Sequence, residues 1–227
     1  METRMGVMAE LERMMPTKSV PVGRMFAAWN RAKRPHDDRS CSMTNKQDLF
    51  DLFHRKLREM WFAEKKIHTS LRKMANAAQS DALRAAFRKH EVETQHQIAR
   101  LGTVFGLIDR TAKEEVSIAL SALLDECMEA AVRFKNSSAL DAALIAGAQA
   151  VEHHEIAFYG TLKAWADQLG MKEAAGLLDE TLSEEKDTDQ ALTQLAEDIA
   201  NPKAKKDHAK KDDDESSRRG HRAPTAA

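Results

Sequence analysis

The sequence predicts an all-α protein whose core is a bundle of four long helices. Gly and Pro, the residues that most often interrupt helices, number only 9 and 5 among 227 residues. From about residue 46 to residue 200, apolar residues recur every three or four positions, which is the period of an amphipathic helix. Aromatic residues make up only 5% of the chain and leave little material for a β-sandwich.

Composition divides the chain into three regions. Residues 1–43 contain three of the five prolines and a polar break at 34–40, so they do not belong to the core. They form either a disordered extension or a segment upstream of the true start of translation at Met43, which directly precedes a good helix start. Residues 44–200 form the helical domain. Residues 201–227 are rich in charge and lack bulky apolar side chains, so we expect a disordered tail.

The first two helices are predicted by their apolar stripes. The first runs over about 46–78, and its stripe extends from Phe50 to Met74. Ser80 begins the second as an N-cap, and that helix continues to about Ile108. Because only a few residues separate them, these helices form an antiparallel hairpin.

The second half of the chain predicts a similar hairpin after a long connection. That connection carries a short helix at about 113–134. Ser137 or Ser138 begins the third long helix, and Gly170 ends it by supplying the left-handed residue of a C-terminal cap. The fourth long helix covers about 172–200.

The order of connections is short, long, short, with about 30 residues between the second and third long helices. An up-down-up-down bundle has three short loops, whereas one long crossover is the connectivity of ferritin-like bundles. We therefore predict a ferritin-like four-helix bundle whose crossover carries a short extra helix.

Charge and composition exclude several functions. The formal net charge of −1 does not favour a nucleic-acid-binding protein, and no stretch approaches the roughly 20 apolar residues of a membrane-spanning helix. The N-terminus has no apolar signal-peptide core, and the two cysteines, Cys41 and Cys127, lie far apart in unlike contexts. We expect a cytoplasmic protein without contacts to membrane or nucleic acid.

Acids and histidines interrupt the apolar stripe of each long helix. A buried, unpaired carboxylate costs several kcal/mol, and a cation removes that cost by giving the oxygens a positive centre. We therefore predict two bound metal ions, iron with manganese as the alternative. The predicted ligands are Glu64, Glu93, His96, Glu152, Glu155, Glu185 and Asp189.

Spacing supports this assignment. Glu93 and His96, and likewise Glu152 and Glu155, are three residues apart and share a helix face. Carboxylate-bridged di-iron bundles use one Glu from each of two helices and Glu-x-x-His from the other two, a plan that this chain approaches without matching fully. We interpret His90 as a core histidine that orients a carboxylate.

A weak internal repeat relates the two hairpins. Shifting the sequence by 91 residues places Glu64 on Glu155 and Glu93 on Glu184. The repeat therefore favours Glu184 as the ligand of the fourth helix, whereas the apolar register favours Glu185. We prefer Glu185, because facing the core is the physical requirement, and keep Glu184 as the alternative.

Residues 46–199 resemble the YciE/YciF-type family of bacterial stress proteins, a ferritin-like group. The matching segments are AEKK at 63–66, ALRAAFRKHEVETQ at 82–95, DAALIAGAQAVEHHEIAFYGTL at 141–162 and TLSEEKDTD at 181–189. The resemblance implies a homodimer with a metal site similar to that of rubrerythrin. It also implies a ligand set of Glu64, Glu93, Glu152, Glu155 and Glu185. Asp189 stands where rubrerythrin-like proteins use a histidine.

Two functions follow as hypotheses. The first is a di-iron stress protein that handles peroxide or oxygen. Because the sequence contains no Cys-x-x-Cys pair for a rubredoxin-type iron centre, its electrons would come from an external donor. The second is a non-enzymatic, metal-binding or structural dimeric stress protein.

Overall fold

The computed structural model describes residues 47–206, and within that range it contains five α-helices and no strand. The first hairpin consists of α1 (Leu49–Ala77) and α2 (Asp81–Leu107). The crossover carries α3 (Ile118–Arg133), and the second hairpin consists of α4 (Leu140–Gln168) and α5 (Lys172–Leu195). The ferritin-like bundle predicted from the sequence is confirmed. The predicted extension at 1–43 and the tail from residue 207 onward lie outside the described residues.

The four long helices surround a common core. Helix α1 packs against α2 and α4, and α5 packs against the same two helices, so α1 and α5 lie on opposite corners. Helix α3 packs against α4 and α1 from outside the bundle. Side chains that lie midway along all four long helices therefore meet in the interior.

Helix α1 begins with a capping box. The Asp48 side chain accepts a hydrogen bond from the Asp51 backbone N–H at 3.0 Å, and the Asp51 side chain accepts one from the Asp48 N–H at 3.1 Å. The start of α2 differs from the prediction, because the Ser80 side chain makes no capping hydrogen bond. Instead, the buried Asp141 carboxylate accepts from the backbone N–H groups of Gln79 and Ser80 at 2.7 and 2.9 Å.

The second hairpin begins and ends close to the predicted positions. The N-cap residue of α4 is Ala139, and its backbone N–H donates a hydrogen bond to the Ser137 hydroxyl at 3.1 Å. Gly170 follows the last residues of α4 with φ of +75°, the left-handed conformation expected of a C-terminal cap.

The last helix extends beyond the predicted boundary at residue 200. A π-helical turn at Ala196–Ala200 follows α5, and helical structure continues through residue 206. Ala200 is buried, and the Lys203 ammonium donates a hydrogen bond to the Gln79 side-chain oxygen at 2.8 Å. Residues 201–206, which composition alone assigns to the tail, thus continue the last helix, and Lys203 contacts the turn of the first hairpin.

Within the described part of the chain, no helix combines the length and apolar character needed to cross a membrane.

Candidate metal centre

Five ionisable side chains meet in the middle of the bundle, and all four long helices contribute. Each of the five is at most 3% exposed. They are Glu64 on α1, His90 on α2, Glu152 and Glu155 on α4, and Glu185 on α5. Acidic side chains are almost never buried to this extent unless they are paired or bind a cation.

His90 lies at the centre of this cluster. Its Nε2 atom is 3.3 Å from Glu152 Oε1 and 3.8 Å from Glu185 Oε2. One potential ligand atom from each of His90, Glu152, Glu155 and Glu185 lies within 4.8 Å of the other three. One cation can therefore be shared by an imidazole nitrogen and three carboxylates, a donor set that suits iron, manganese or zinc.

The cluster leaves many polar atoms without partners, which is the test of whether a cation fits here. Buried polar groups in folded proteins nearly always have a hydrogen-bond partner. Among the described residues, both carboxylate oxygens of Glu155 and Glu185 and both ring nitrogens of His90 lack one. Glu64 Oε2 and Glu152 Oε2 also have no hydrogen-bond partner. These are the atoms that a cation would bind.

Glu64 is held by Tyr159. The Tyr159 hydroxyl, which is fully buried on α4, donates a hydrogen bond to Glu64 Oε1. This contact leaves Glu64 Oε2 as the oxygen that faces the other carboxylates without a partner. Tyr159 thereby orients one carboxylate of the cluster and joins α1 to α4.

Burial and mutual repulsion change the proton affinities of the cluster. Burial raises the pKa of Glu64 to about 7, although the Tyr159 hydrogen bond opposes the rise. Burial and the neighbouring carboxylates also raise the pKa of Glu155 and Glu185 well above the ordinary value. For His90, burial alone would lower the pKa, but the adjacent carboxylates, chiefly Glu152, raise it well above 6.5. Protons therefore occupy the cluster when no other cation does, and metal ions would compete with them.

Glu93 lies at the edge of the cluster rather than inside it. Its Oε2 atom is 3.8 Å from His90 Nδ1, while its Oε1 atom accepts a hydrogen bond from the exposed Lys89 ammonium at 2.5 Å. The nearby His90 ring and the hydrogen-bonded Lys89 ammonium hold the pKa of Glu93 below its usual value. Glu93 remains a predicted ligand, but the structure gives it contacts on both the inner and the outer side.

The structure does not bring His96 or Asp189 into the cluster. His96 lies on the exposed face of α2. Asp189 contacts the surface histidine His153 at 3.3 Å and accepts a hydrogen bond from Gln149 at 3.1 Å. The cluster therefore has one histidine, from a position three residues before Glu93 instead of three residues after it.

The placement of His96 follows from the rotation of α2. The apolar period of this helix in the sequence predicts residues 83, 86, 90, 93, 97 and 101 on the inner face. The buried positions include Phe87 and Thr94 instead of Ala86 and Glu93. This change of one residue turns Glu93 to the flank, turns His96 to the solvent and leaves His90 facing inward.

Helix α5 faces the core with Glu185, as its apolar register predicts, and not with Glu184. Glu184 lies on the flank and binds Arg100 of α2, whose Nη1 and Nη2 atoms both donate to it at 2.9 Å. Gln97 also donates to Glu184 at 3.0 Å. The role of Glu185 as a ligand remains a prediction.

His90 is a candidate metal ligand that the sequence-based ligand set does not include. Its ring nitrogens lie 3.3–3.8 Å from the carboxylates of Glu93, Glu152 and Glu185, and neither nitrogen has a hydrogen-bond partner among the described residues. The signal was present in the sequence, because His90 falls on the same helical face as Leu83 and Leu101.

The fold and the buried cluster define a ferritin-like helical bundle with a candidate metal centre. Comparison with known proteins agrees with the helical fold. Residues 48–205 match a family described as a domain of unknown function, DUF892. The chain is 42% identical over 161 residues to protein YciF of Escherichia coli K12, a match that covers 70% of this chain and 97% of that protein. The chain belongs to this family of YciF-type stress proteins.

Solved structures give the same result. The crystal structure of the E. coli stress protein YciF has a TM-score of 0.66 at 41% identity and covers 68% of this chain and 98% of its own. YcfI from Rhodopseudomonas palustris, described provisionally as a structural protein, has a TM-score of 0.65 at 37% identity. The match covers 69% of this chain and 99% of YcfI. A protein from Xanthomonas campestris shares the fold at 21% identity, with a TM-score of 0.56. The match covers 71% of this chain and 99% of that protein.

Proposed function

We propose that this protein binds transition-metal ions, iron first among them, in the buried cluster and uses them in a stress response against peroxide or oxygen. The observation that carries this proposal is the set of unpartnered carboxylate and imidazole atoms in the bundle interior. A purely structural core gains nothing from several mutually repelling acids, because each one adds a desolvation cost. A cation turns these groups into ligands.

Glu152, Glu155, Glu185 and His90 would hold the first ion. Glu64, oriented by Tyr159, offers its free oxygen beside them and supports a second ion. Two ferrous ions held there would supply the two electrons that, with two protons, reduce one molecule of hydrogen peroxide to two molecules of water. The chain's own contribution is to hold the carboxylates in place and to surround them with apolar side chains that exclude bulk water.

A second candidate is a metal-binding protein without turnover. Asp189 favours it, because its carboxylate is engaged by His153 and Gln149 at the surface and is not available to complete a second ion's ligands. One bound ion would then act as a cross-link between the two hairpins. The relative from R. palustris, described provisionally as a structural protein, agrees with this alternative.

The homodimer and the external electron donor belong to the same proposal. Measuring the mass of the purified protein in solution tests the dimer, which requires twice the mass of one chain. Peroxide turnover that depends on an added chemical reductant tests the need for a donor.

The deciding experiment compares Glu185→Gln with the control Glu173→Gln, an exposed glutamate of the same helix. Metal-free protein is loaded anaerobically with Fe2+ or Mn2+, and bound metal, melting temperature and peroxide consumption are measured. We expect one to two ions per wild-type chain, and Glu185→Gln to weaken binding at least 10-fold while it raises the melting temperature of the metal-free protein. Bound iron without peroxide consumption would favour the second candidate, and absence of bound metal would exclude both.

A further inference from the structure

A narrow cleft between α2 and α5 connects the protein surface with the buried cluster. It has a volume of about 40 Å³, and its wall includes Lys89 and Thr188 at the surface and His90 and Glu152 inside. A water molecule requires roughly 10–15 Å³ of such space, so the cleft admits about two to four waters. It therefore has room for a partly hydrated metal ion.

Glu93 stands between the two ends of this cleft. Its outer oxygen, Oε1, is bound to Lys89 at 2.5 Å, and its inner oxygen, Oε2, lies 3.8 Å from His90 Nδ1 without a hydrogen-bond partner among the described residues. His90 itself is 3% exposed, and its Nε2 atom lies 3.3 Å from Glu152. Carboxylate and imidazole ligand atoms thus follow one another from the surface to the centre.

A second opening toward Glu152 is less suitable for an ion. It lies among α1, α3 and α4, has a volume of about 10 Å³ and is lined mainly by apolar side chains such as Ile67, Leu71 and Val151. A divalent ion that entered there would lose its water ligands before it met a carboxylate, at a large desolvation cost.

We propose that metal ions enter and leave the centre through the α2–α5 cleft, and that Glu93 is the transfer residue, which binds the ion at the mouth and passes it to His90 and Glu152. This inference rests on the proposed function, because it requires that the centre binds metal. It assigns Glu93 a role in exchange between the surface and the centre, distinct from that of the ligands that hold the ion at rest.

Lys89 controls the same step. Its ammonium group is mostly exposed and pairs with Glu93 at the mouth of the cleft. An arriving cation must displace this ammonium from the Glu93 carboxylate and is also repelled by it. Since exposed ion pairs of this kind are weak, the displacement slows entry only moderately.

The test measures exchange rates and equilibrium affinity separately, with Fe2+ as the probe under anaerobic conditions. Full-length protein loaded with Fe2+ is mixed with excess ferrozine, and the absorbance of the iron–ferrozine complex gives the release rate. A competition titration gives the dissociation constant. An entrance residue changes the rates of binding and release by the same factor and leaves their ratio unchanged, whereas a resting ligand changes the dissociation constant.

Four variants are compared. Glu93→Gln and Thr188→Leu, which narrows the cleft, should each slow release at least 10-fold, with dissociation constants within 3-fold of wild type. Lys89→Met should accelerate release about 2- to 5-fold. Lys73→Met removes an exposed lysine from α1, which does not line the cleft, and should leave release unchanged.

Two results would overturn this inference without touching the proposed function. One is Fe2+ binding with wild-type release rates in Glu93→Gln and Thr188→Leu. The other is faster release from Glu93→Gln together with a matching loss of affinity, which would make Glu93 a resting ligand. Failure of the wild-type protein to bind Fe2+ at all would overturn the centre itself and the entrance with it.

Discussion

Tyr159 on α4 donates a hydrogen bond to Glu64 on α1, and both side chains are fully buried. The bond joins the two hairpins across the interior, since α1 belongs to the first and α4 to the second. It also favours the ionised form of Glu64 and partly offsets the effect of burial on its pKa.

Replacing Tyr159 with Phe should therefore weaken both the fold and the centre. Loss of the hydroxyl leaves Glu64 Oε1 without a donor, so we expect a loss of about 1–2 kcal/mol in the free energy of unfolding, measured by denaturant titration. The pKa of Glu64 should rise, and metal affinity should fall more at pH 6 than at pH 8. Thr161→Val removes a hydroxyl from the exposed face of the same helix and serves as the control. Equal metal affinities of Tyr159→Phe and wild type at pH 6 would contradict this role.

The metal-free protein should lose stability as the pH rises. Glu64 titrates near 4.5 when exposed and near 7 in the fold, so the native state binds the proton more tightly. Its stabilising contribution is complete below about pH 4.5 and is lost as the pH rises to about 7, a change on the order of 3 kcal/mol. Burial shifts Glu155 and Glu185 in the same direction.

Thermal melts of metal-free wild type and Glu64→Gln across this range measure the effect. The melting temperature of the variant should fall less than that of the wild type between pH 4.5 and pH 7. Added Mn2+ should stabilise the wild type more at pH 7.5 than at pH 5.5. Parallel pH profiles of the two proteins would show that Glu64 does not titrate in this range.

Asp141 should be important for the junction of the two hairpins. Its buried carboxylate accepts hydrogen bonds from the backbone N–H groups of Gln79 and Ser80, which otherwise lack partners at the start of α2. Asp141→Ala should cost about 2–4 kcal/mol in the free energy of unfolding, because two charge-assisted hydrogen bonds are lost. Asp187→Ala, at an exposed position of α5, should change it by less than about 0.5 kcal/mol. Similar values for the two variants would refute the assignment.

Gly147 permits the close approach of α3 to α4. A Cβ atom at this position would lie 2.6 Å from Cys127 Sγ and 2.8 Å from its Cβ, distances at which the helices must separate. Gly147→Ala should therefore destabilise the protein by about 1–2 kcal/mol, despite the better helix propensity of alanine. Gly160→Ala in the same helix meets no atom within 4 Å and should be neutral or stabilising by up to about 1 kcal/mol. Chemical denaturation of both variants tests the difference, and a stabilised Gly147→Ala would disprove the close packing.

Sequence patterns predicted the helices and their order well, because apolar periodicity and turn residues are local signals. They were less able to fix the rotation of α2. Ala86 and Phe87 are both apolar, and so a period of 3.6 fits either neighbour. The difference of one position decides whether Glu93 or Thr94 faces the core, and the structure selects Thr94.

The internal repeat has a physical explanation in the structure. Glu64 and Glu155, which it pairs, both face the interior, whereas Glu93 and Glu184 both lie on flanks beside a basic residue of α2. The repeat thus pairs residues that occupy equivalent positions in the two hairpins. It does not predict whether those positions are buried. The partners that distinguish Glu184 from Glu185, above all Arg100, come from another helix and cannot be read from local sequence.

The crossover between the hairpins contributes no atom to the buried cluster. Glu64 and His90 precede it, Glu152, Glu155 and Glu185 follow it, and residues 109–114 within it are exposed. A protease that cut the chain there would leave two fragments, each with an incomplete set of ligands. Bound metal would then add a link between the fragments, and chelation would weaken their association.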